Sequence, residues 1–130
     1  GIRDRFLARQ LPWSVNAVAE ACGLRLKDCD EYMTKSREFI EREREKLLAL
    51  FEESDMAEAL PGEANFLLIL LKSGDVEACF DFFLREGILL RTFSEAPLKD
   101  YYFRMAVRGE KENARFRELW TQFERSRSHV

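Results

Sequence analysis

The apolar residues in the first part of the chain recur at helical spacing. A short helix from Arg3 to Gln10 is predicted to stop before Pro12, because proline cannot continue a helix. A second helix is predicted over Val15 to Cys22, with Ser14 as its N-cap and Gly23 as its terminator. The pattern therefore predicts two short helices at the start of the chain.

The longest predicted helix runs from about Asp30 to Glu53. Its apolar positions recur close to a seven-residue spacing, which is typical of one buried helix face. These positions are Tyr32, Met33, Phe39, Ile40, Leu47, Leu50 and Phe51. Between them, Arg37 to Lys46 is almost entirely charged, and a charge run on a helix is usually a solvated face. We expect this charged segment to face water.

The second part of the chain mixes strand and helix patterns. Continuous apolar runs indicate buried strands. The predicted strands are a short one near Met56 to Leu60, then Ala64 to Leu71, Ile88 to Phe93 and Tyr101 to Arg108. Helices with one apolar face are predicted over Val76 to Leu84 and from Glu110 to about Ser126, and Ser94 to Asp100 is predicted to be a loop. This order predicts an α+β fold with a small, mostly antiparallel sheet of three or four strands packed with helices.

Composition restricts the classes of protein and partner. The chain has 130 residues, of which 46% are hydrophobic and 35% charged, so it can bury a core and is not expected to be disordered. Its longest apolar run, Phe66 to Leu71, is far shorter than the roughly 20 residues of a membrane span. The formal net charge of −3 argues against a general nucleic-acid binder, which is normally basic. We expect no membrane or nucleic-acid partner.

The cysteine and histidine content narrows the chemistry further. The chain has three cysteines and no CxxC pair, which indicates reduced thiols and a cytoplasmic protein. Its single histidine, His129, lies next to the C-terminus, where chain ends usually fray. We therefore exclude Ser-His-Asp and Cys-His catalysis and expect no metal site built on histidine.

Three arginines lie inside predicted strands, unlike most charged residues of the chain. Because side chains alternate along a strand, Arg104 and Arg108 are predicted to share one face with Tyr102 and Ala106. An antiparallel hairpin that pairs Phe93 with Tyr102 would place Arg91 opposite Arg104. Two like charges directly opposite each other cost stability unless an anion joins them. The arginine fork binds carboxylate and phosphate groups, so this pair is a candidate site for a substrate that carries both.

A simpler interpretation of these arginines stays open. Each could be a protective charge on an edge strand, or could pair with a nearby Glu or Asp. The register is also an assumption, because a slip of one residue would separate Arg91 from Arg104. The spacing of the residues alone does not choose between a binding site and a structural feature.

Five stretches of the sequence carry a family resemblance. They are Pro12 to Ala21 (PWSVNAVAEA), Ala64 to Leu68 (ANFLL), Gly87 to Thr92 (GILLRT), Tyr102 to Arg108 (YFRMAVR) and Glu112 to Arg115 (ENAR). In order and spacing, from Leu11 to Phe123, the chain resembles the threonine-phosphate decarboxylases of cobalamin biosynthesis. These enzymes are close relatives of histidinol-phosphate aminotransferases.

The resemblance implies the C-terminal portion of a fold-type I enzyme that uses pyridoxal phosphate. Residues 1–26 would then be the trailing segment of a missing large domain, and residues 27–130 the small domain. The family's cofactor lysine lies in a Ser-x-x-Lys stretch that should come before Gly1. We therefore expect no catalytic, cofactor-binding or metal-binding residue in this chain, and no activity from the chain alone. The parent enzyme is expected to be a homodimer.

The resemblance also implies roles for the arginines. The family arginine that matches Arg104 binds the substrate α-carboxylate, and the one that matches Arg91 helps to bind the substrate phosphate. Arg108 is common in the decarboxylase branch and is given a phosphate role. The expected substrate is a small phosphorylated amino acid, L-threonine O-3-phosphate, which decarboxylation converts to aminopropanol phosphate.

Two other functions stay open. A histidinol-phosphate aminotransferase would share the Arg91 and Arg104 pair, although Trp13 and Arg108 favour the decarboxylase. A non-catalytic interaction domain could instead use the Phe-rich helix from Val76 to Leu84 and the charged helix as contact faces. An upstream cofactor lysine would distinguish the enzymes from the interaction domain.

Overall fold

The computed structural model describes residues 1–10, 15–72 and 74–127 of the chain. Its helices are α1 (Ile2–Leu7), α2 (Ala17–Arg25), α3 (Asp30–Glu52), α4 (Val76–Arg85), α5 (Leu98–Tyr101) and α6 (Glu110–Arg127), with a 3-10 turn at Leu26–Asp28. Its strands are β1 (Ala57–Leu60), β2 (Phe66–Leu71) and β3 (Tyr102–Ala106). These residues form two compact units, 1–36 and 37–130. The domain boundary after residue 26 stays a prediction.

The first unit contains α1, α2 and the start of α3. Helix α2 begins two residues later than predicted because the side chain of Asn16 caps it, accepting a hydrogen bond from the Ala19 amide at 2.9 Å. It also continues past Gly23, which has no positive φ and therefore does not end the helix. The predicted cap, Ser14, and Pro12 lie outside the described residues. Neither α1 nor α2 has a buried residue.

Helix α3 has the predicted extent, but the prediction that its charged segment faces water is wrong at two positions. Glu43 is 0% exposed and Arg44 is 9% exposed. Both are buried because each has a specific partner. Glu43 accepts a hydrogen bond from Asn113, and Arg44 Nη1 donates to the Ala64 carbonyl at 2.6 Å. A buried charge is tolerated when it is hydrogen-bonded in this way.

The second unit is built on an antiparallel three-stranded sheet of order β1-β2-β3, as the predicted α+β fold requires. Burial alternates along β2 and β3, so one face of the sheet carries the core residues Leu67, Ile69, Leu71, Phe103 and Met105. Residues of α3, α4 and α6 join the same core: Leu47, Phe51, Cys79, Phe83, Phe116, Leu119, Trp120 and Phe123. The rings of Phe83 and Phe116 stack at 4.8 Å. The alternate residues of β2 and β3, on the opposite face of the sheet, do not belong to this buried core.

The strand predicted over Ile88 to Phe93 is wrong, apart from a single bridge at Arg91. A tight hairpin turn would hold two strands in register over their whole length. Here the connection is no tight turn, because α5 occupies the end of the predicted loop, and only the Arg91–Arg104 pair forms a bridge. Strand β3 is also shorter than predicted, because Tyr101 belongs to α5 and the strand ends at Ala106.

No helix of the described residues is both long and apolar enough to cross a membrane.

Candidate functional site

Arg91 and Arg104 face each other across the isolated bridge. The Arg91 amide donates to the Arg104 carbonyl at 2.9 Å, and the Arg104 amide donates to the Arg91 carbonyl at 2.7 Å. Residues that exchange both backbone hydrogen bonds lie directly opposite each other in an antiparallel pair, and their side chains leave on the same face. The predicted register is therefore confirmed at this pair. Two cationic side chains project from neighbouring backbone positions.

Arg104 is the better-defined member of the pair. Its side chain is half-buried, and its Cζ lies 3.8 Å from the centre of the Phe66 ring. Its Nε is buried and has no hydrogen-bond partner among the described residues. Buried N–H donors normally have a partner, so an unpaired one is unusual. The Phe66 ring covers one face of the guanidinium, and no side-chain hydrogen bond within the described residues occupies its donors.

The described residues do not neutralise the pair. Neither Arg91 nor Arg104 forms an ion pair with a carboxylate in the part of the chain that the structure describes. Arg104 is also not a protective charge on a free edge, since β3 pairs with β2 on one side and with Arg91 on the other. Pairing with a carboxylate is thus not observed for either arginine among the described residues, and the edge-charge interpretation stays open only for Arg91, which is exposed.

Arg108 lies in a different environment. Its Nε and Nη2 donate to Glu112 Oε1 at 3.2 and 3.1 Å, and both side chains are largely exposed. Strand β3 ends at Ala106, so the shared face of Arg104 and Arg108, which was inferred from strand alternation, stays a prediction. The structure brings Arg91 and Arg104 together and leaves Arg108 paired with Glu112. Its role toward phosphate stays a prediction.

Asn113 holds the backbone that follows β3, and the sequence interpretation missed it. Its side-chain oxygen accepts from the Arg108 amide at 2.9 Å, and its Nδ2 donates to the Arg108 carbonyl at 2.8 Å. The same Nδ2 donates to Glu43 Oε2 at 3.0 Å, which ties α3 to α6. Asn113 lies within the ENAR stretch, but nothing in that pattern indicates an amide buried against a carboxylate on a distant helix.

Glu43 is ionised in its buried position. The hydrogen bond from Asn113 and a second one from Lys46 at 2.6 Å lower the pKa of the Glu43 carboxyl below its usual value, against the opposing effect of burial. The same contact raises the pKa of the Lys46 ammonium. Charge-assisted hydrogen bonds of this kind favour both charged forms. The network positions the turn around Arg108, and its members Glu43 and Asn113 are buried.

The remaining candidates for chemistry are inert or distant. A cavity of about 470 Å³ between α3 and the β1–β2 connection is lined by acidic and basic residues. None of the predicted site arginines lines it. Burial raises the pKa of the Cys79 thiol to about 12, so this cysteine stays protonated. No cluster of potential metal ligands occurs among residues 1–10, 15–72 and 74–127. His129 lies outside those ranges.

Two curated relatives of the chain are named as enzymes. It is 38% identical over 103 residues to a protein named putative threonine-phosphate decarboxylase from Caldanaerobacter subterraneus subsp. tengcongensis. It is 32% identical over 102 residues to a histidinol-phosphate aminotransferase from Clostridium kluyveri. Each match covers 78% of this chain and 28% of the relative, so the chain spans less than a third of those proteins. No family model matches the sequence.

Solved structures give the same result for the fold. The histidinol-phosphate aminotransferase from Clostridium acetobutylicum matches with a TM-score of 0.76 at 27% identity, over 92% of this chain and 36% of the other. The L-threonine-O-3-phosphate decarboxylase from Porphyromonas gingivalis matches with a TM-score of 0.69 at 26% identity, over 92% and 38%. Both the resemblance and the fold class predicted from sequence are confirmed. The chain is thus homologous, over most of its own length, to a part of the threonine-phosphate decarboxylases and histidinol-phosphate aminotransferases.

Proposed function

We propose that this chain is the substrate-binding small domain of a pyridoxal-phosphate-dependent decarboxylase that acts on L-threonine O-3-phosphate. The names of its decarboxylase relatives support this substrate, and the 38% identity to one of them exceeds the 32% identity to the histidinol-phosphate aminotransferase from Clostridium kluyveri. The rest of such an enzyme would be a large domain that supplies the cofactor lysine. The parent would work as a cytoplasmic homodimer, and its product, aminopropanol phosphate, would serve cobalamin biosynthesis.

The first unit supports the part of the proposal that concerns the large domain. The large apolar side chains that the structure describes in this unit are exposed, although exposed apolar clusters are uncommon on a free soluble protein. The exposed residues are Ile2, Phe6, Leu7, Val15, Val18, Leu24, Leu26, Tyr32 and Met33. Residues 1–26 would pack against the large domain as its trailing segment.

The observation that carries the proposal is the unneutralised arginine pair. In the proposed enzyme Arg104 holds the α-carboxylate and Arg91 holds the phosphate, each through a planar fork that suits these anions. Anchoring both ends of the substrate fixes the bond to be broken relative to the cofactor, and such positioning is a large part of catalysis. Arg108 is proposed as an additional phosphate contact that Glu112 holds in place when no substrate is bound.

Lys46, which is half-buried, does not fit the covalent role that the cofactor needs. A Schiff-base lysine must lose its proton to act as a nucleophile. Lys46 is half-buried, but its contact with Glu43 raises its pKa and keeps it charged. We assign no catalytic or cofactor-binding residue to this chain. Pyridoxal phosphate, when bound by the rest of the enzyme, would supply the electron sink for decarboxylation.

The test is an assay of the full-length protein loaded with pyridoxal phosphate. We expect release of carbon dioxide from L-threonine O-3-phosphate and no amino transfer from histidinol phosphate to a keto acid. Amino transfer without decarboxylation would instead establish the aminotransferase, and neither reaction would favour the non-catalytic interaction domain. The 130-residue chain, assayed in the same way, is expected to be inactive, and decarboxylation by the chain alone would contradict the proposal.

A further inference from the structure

Phe66 and Arg104 lie on the same face of the sheet as diagonal neighbours. Phe66 pairs with Ala106, and Arg104, two residues earlier on β3, pairs with Leu68. Side chains in this diagonal relation are within reach when they are long or aromatic. The small side chain of Ala106 leaves the space beside the Phe66 ring for the guanidinium, whose Cζ lies 3.8 Å from the ring centre.

The contact fixes the orientation of the guanidinium without using its hydrogen-bond donors. A cation above an aromatic face is attracted by the ring quadrupole, and the planar guanidinium stacks on that face. The five N–H donors lie in the guanidinium plane, away from the ring. Nε is buried and unpaired among the described residues, and the N–H groups of Nη1 and Nη2 form no hydrogen bond there either. The ring therefore holds one face of Arg104 while the edge stays free for a carboxylate.

We propose that Phe66 is a positioning residue for Arg104 and that it thereby determines selectivity for ligands with a carboxylate. The stacking itself rests on this chain's geometry, whereas the identity of the ligand rests on the proposed function. Without the ring, Arg104 would sample several rotamers and would lose entropy on binding a carboxylate. A preorganised side chain avoids much of that loss.

The first experiment tests the stacking on the 130-residue chain by NMR of the arginine side chains. The Arg104 Nε–Hε signal, identified by its absence in Arg104→Lys, is expected to be shifted upfield by the ring and to lose that shift in Phe66→Leu. Phe66→Tyr should keep the shift. Phe80→Leu is the matched control, because Phe80 is also half-buried while the arginine–ring contacts of the described residues involve Phe39, Phe66 and Phe123. An Arg104 signal unchanged in Phe66→Leu would overturn the proposal.

The second experiment tests selectivity in the full-length protein with two competitive ligands. O-phosphoserine carries an amine, a phosphate and a carboxylate, and O-phosphoethanolamine lacks only the carboxylate. Phe66→Leu is expected to weaken O-phosphoserine binding about tenfold, which corresponds to about 1.4 kcal/mol, and to leave O-phosphoethanolamine unchanged. Phe66→Tyr should bind O-phosphoserine with the wild-type affinity. Phe80→Leu should change the affinity for neither ligand.

The outcomes separate this inference from the proposed function. Equal weakening of both ligands in Phe66→Leu would show a packing role and overturn the inference. If the wild-type protein does not distinguish the two ligands, the proposed carboxylate role of Arg104 fails. The NMR result on the chain then decides by itself whether Phe66 positions Arg104.

Discussion

At the scale of single residues, the chain stabilises its buried charges with specific hydrogen bonds. Glu43 is the clearest case, since two side chains donate to it in a fully buried position. The sequence interpretation assigned this residue to a solvated face because a run of charged residues gives no sign of which one has a distant partner. Arg91 and Arg104 were predictable because strand alternation and one assumed register were sufficient to place them.

The Glu43 contact predicts a pH-dependent stability. Because folding lowers the pKa of this carboxyl, its contribution is present above the usual value of 4.5 and is lost as the pH falls through the lowered pKa. Glu43→Gln is expected to cost about 1.5–3 kcal/mol at pH 7, as for a hydrogen bond to a charged group. The cost should shrink in acid, below about pH 4.5. Urea denaturation of the chain at pH 7 and in mild acid measures it.

The matched control for this prediction is Glu38→Gln, since Glu38 lies exposed on the same helix. It is expected to change the free energy of unfolding by less than about 0.5 kcal/mol at either pH. A Glu43→Gln cost that is equal at pH 7 and in acid would contradict the assigned hydrogen-bonded carboxylate.

At the scale of secondary structure, the pattern of apolar residues predicted the helices and strands better than the segments that connect them. Helix α3 and the three strands of the sheet follow from apolar spacing, but α5 lies in a segment that Pro97 and polar residues marked as a loop. The strand predicted around Arg91 shortened to one bridge because its length depended on the geometry of that connection. Local spacing contains no information about such a distant constraint.

Gly74 lies in the connection between β2 and α4, where both the backbone and a nearby ring favour glycine. It has a φ of +71°, and a Cβ at this position would lie 2.8 Å from the Tyr101 ring. Gly74→Ala is expected to cost about 1–3 kcal/mol, because the left-handed backbone strains any other residue and the ring must move. Thermal or urea unfolding of the chain measures this cost.

Two glycines serve as controls for that substitution. Gly87 has a φ of +79° with nothing within 4 Å, so Gly87→Ala should cost less than Gly74→Ala. Gly23 lies inside α2 with nothing within 4 Å, and Gly23→Ala should stabilise the helix by about 0.5–1 kcal/mol. If Gly74→Ala costs no more than Gly87→Ala, the Tyr101 ring does not limit the size of the side chain at position 74.

At the scale of the whole molecule, the second unit has a complete core and the first has none in α1 or α2. The chain spans 28% of the curated relatives that it matches. The sheet face that carries Arg91 and Arg104 is opposite the face that packs on the helices. Sequence patterns alone gave the fold class, whereas the proposed substrate depended on the family resemblance.

The central claim is that Arg104 binds a carboxylate and Arg91 a phosphate. The most direct measurement is the affinity of full-length Arg104→Gln and Arg91→Gln for O-phosphoserine and O-phosphoethanolamine. Arg104→Gln should weaken O-phosphoserine at least about tenfold and spare O-phosphoethanolamine, given about 1.5–3 kcal/mol for a hydrogen bond to a charged group. Arg91→Gln should weaken both ligands. If Arg104→Gln leaves O-phosphoserine binding unchanged, or weakens both ligands equally, Arg104 does not hold the substrate carboxylate.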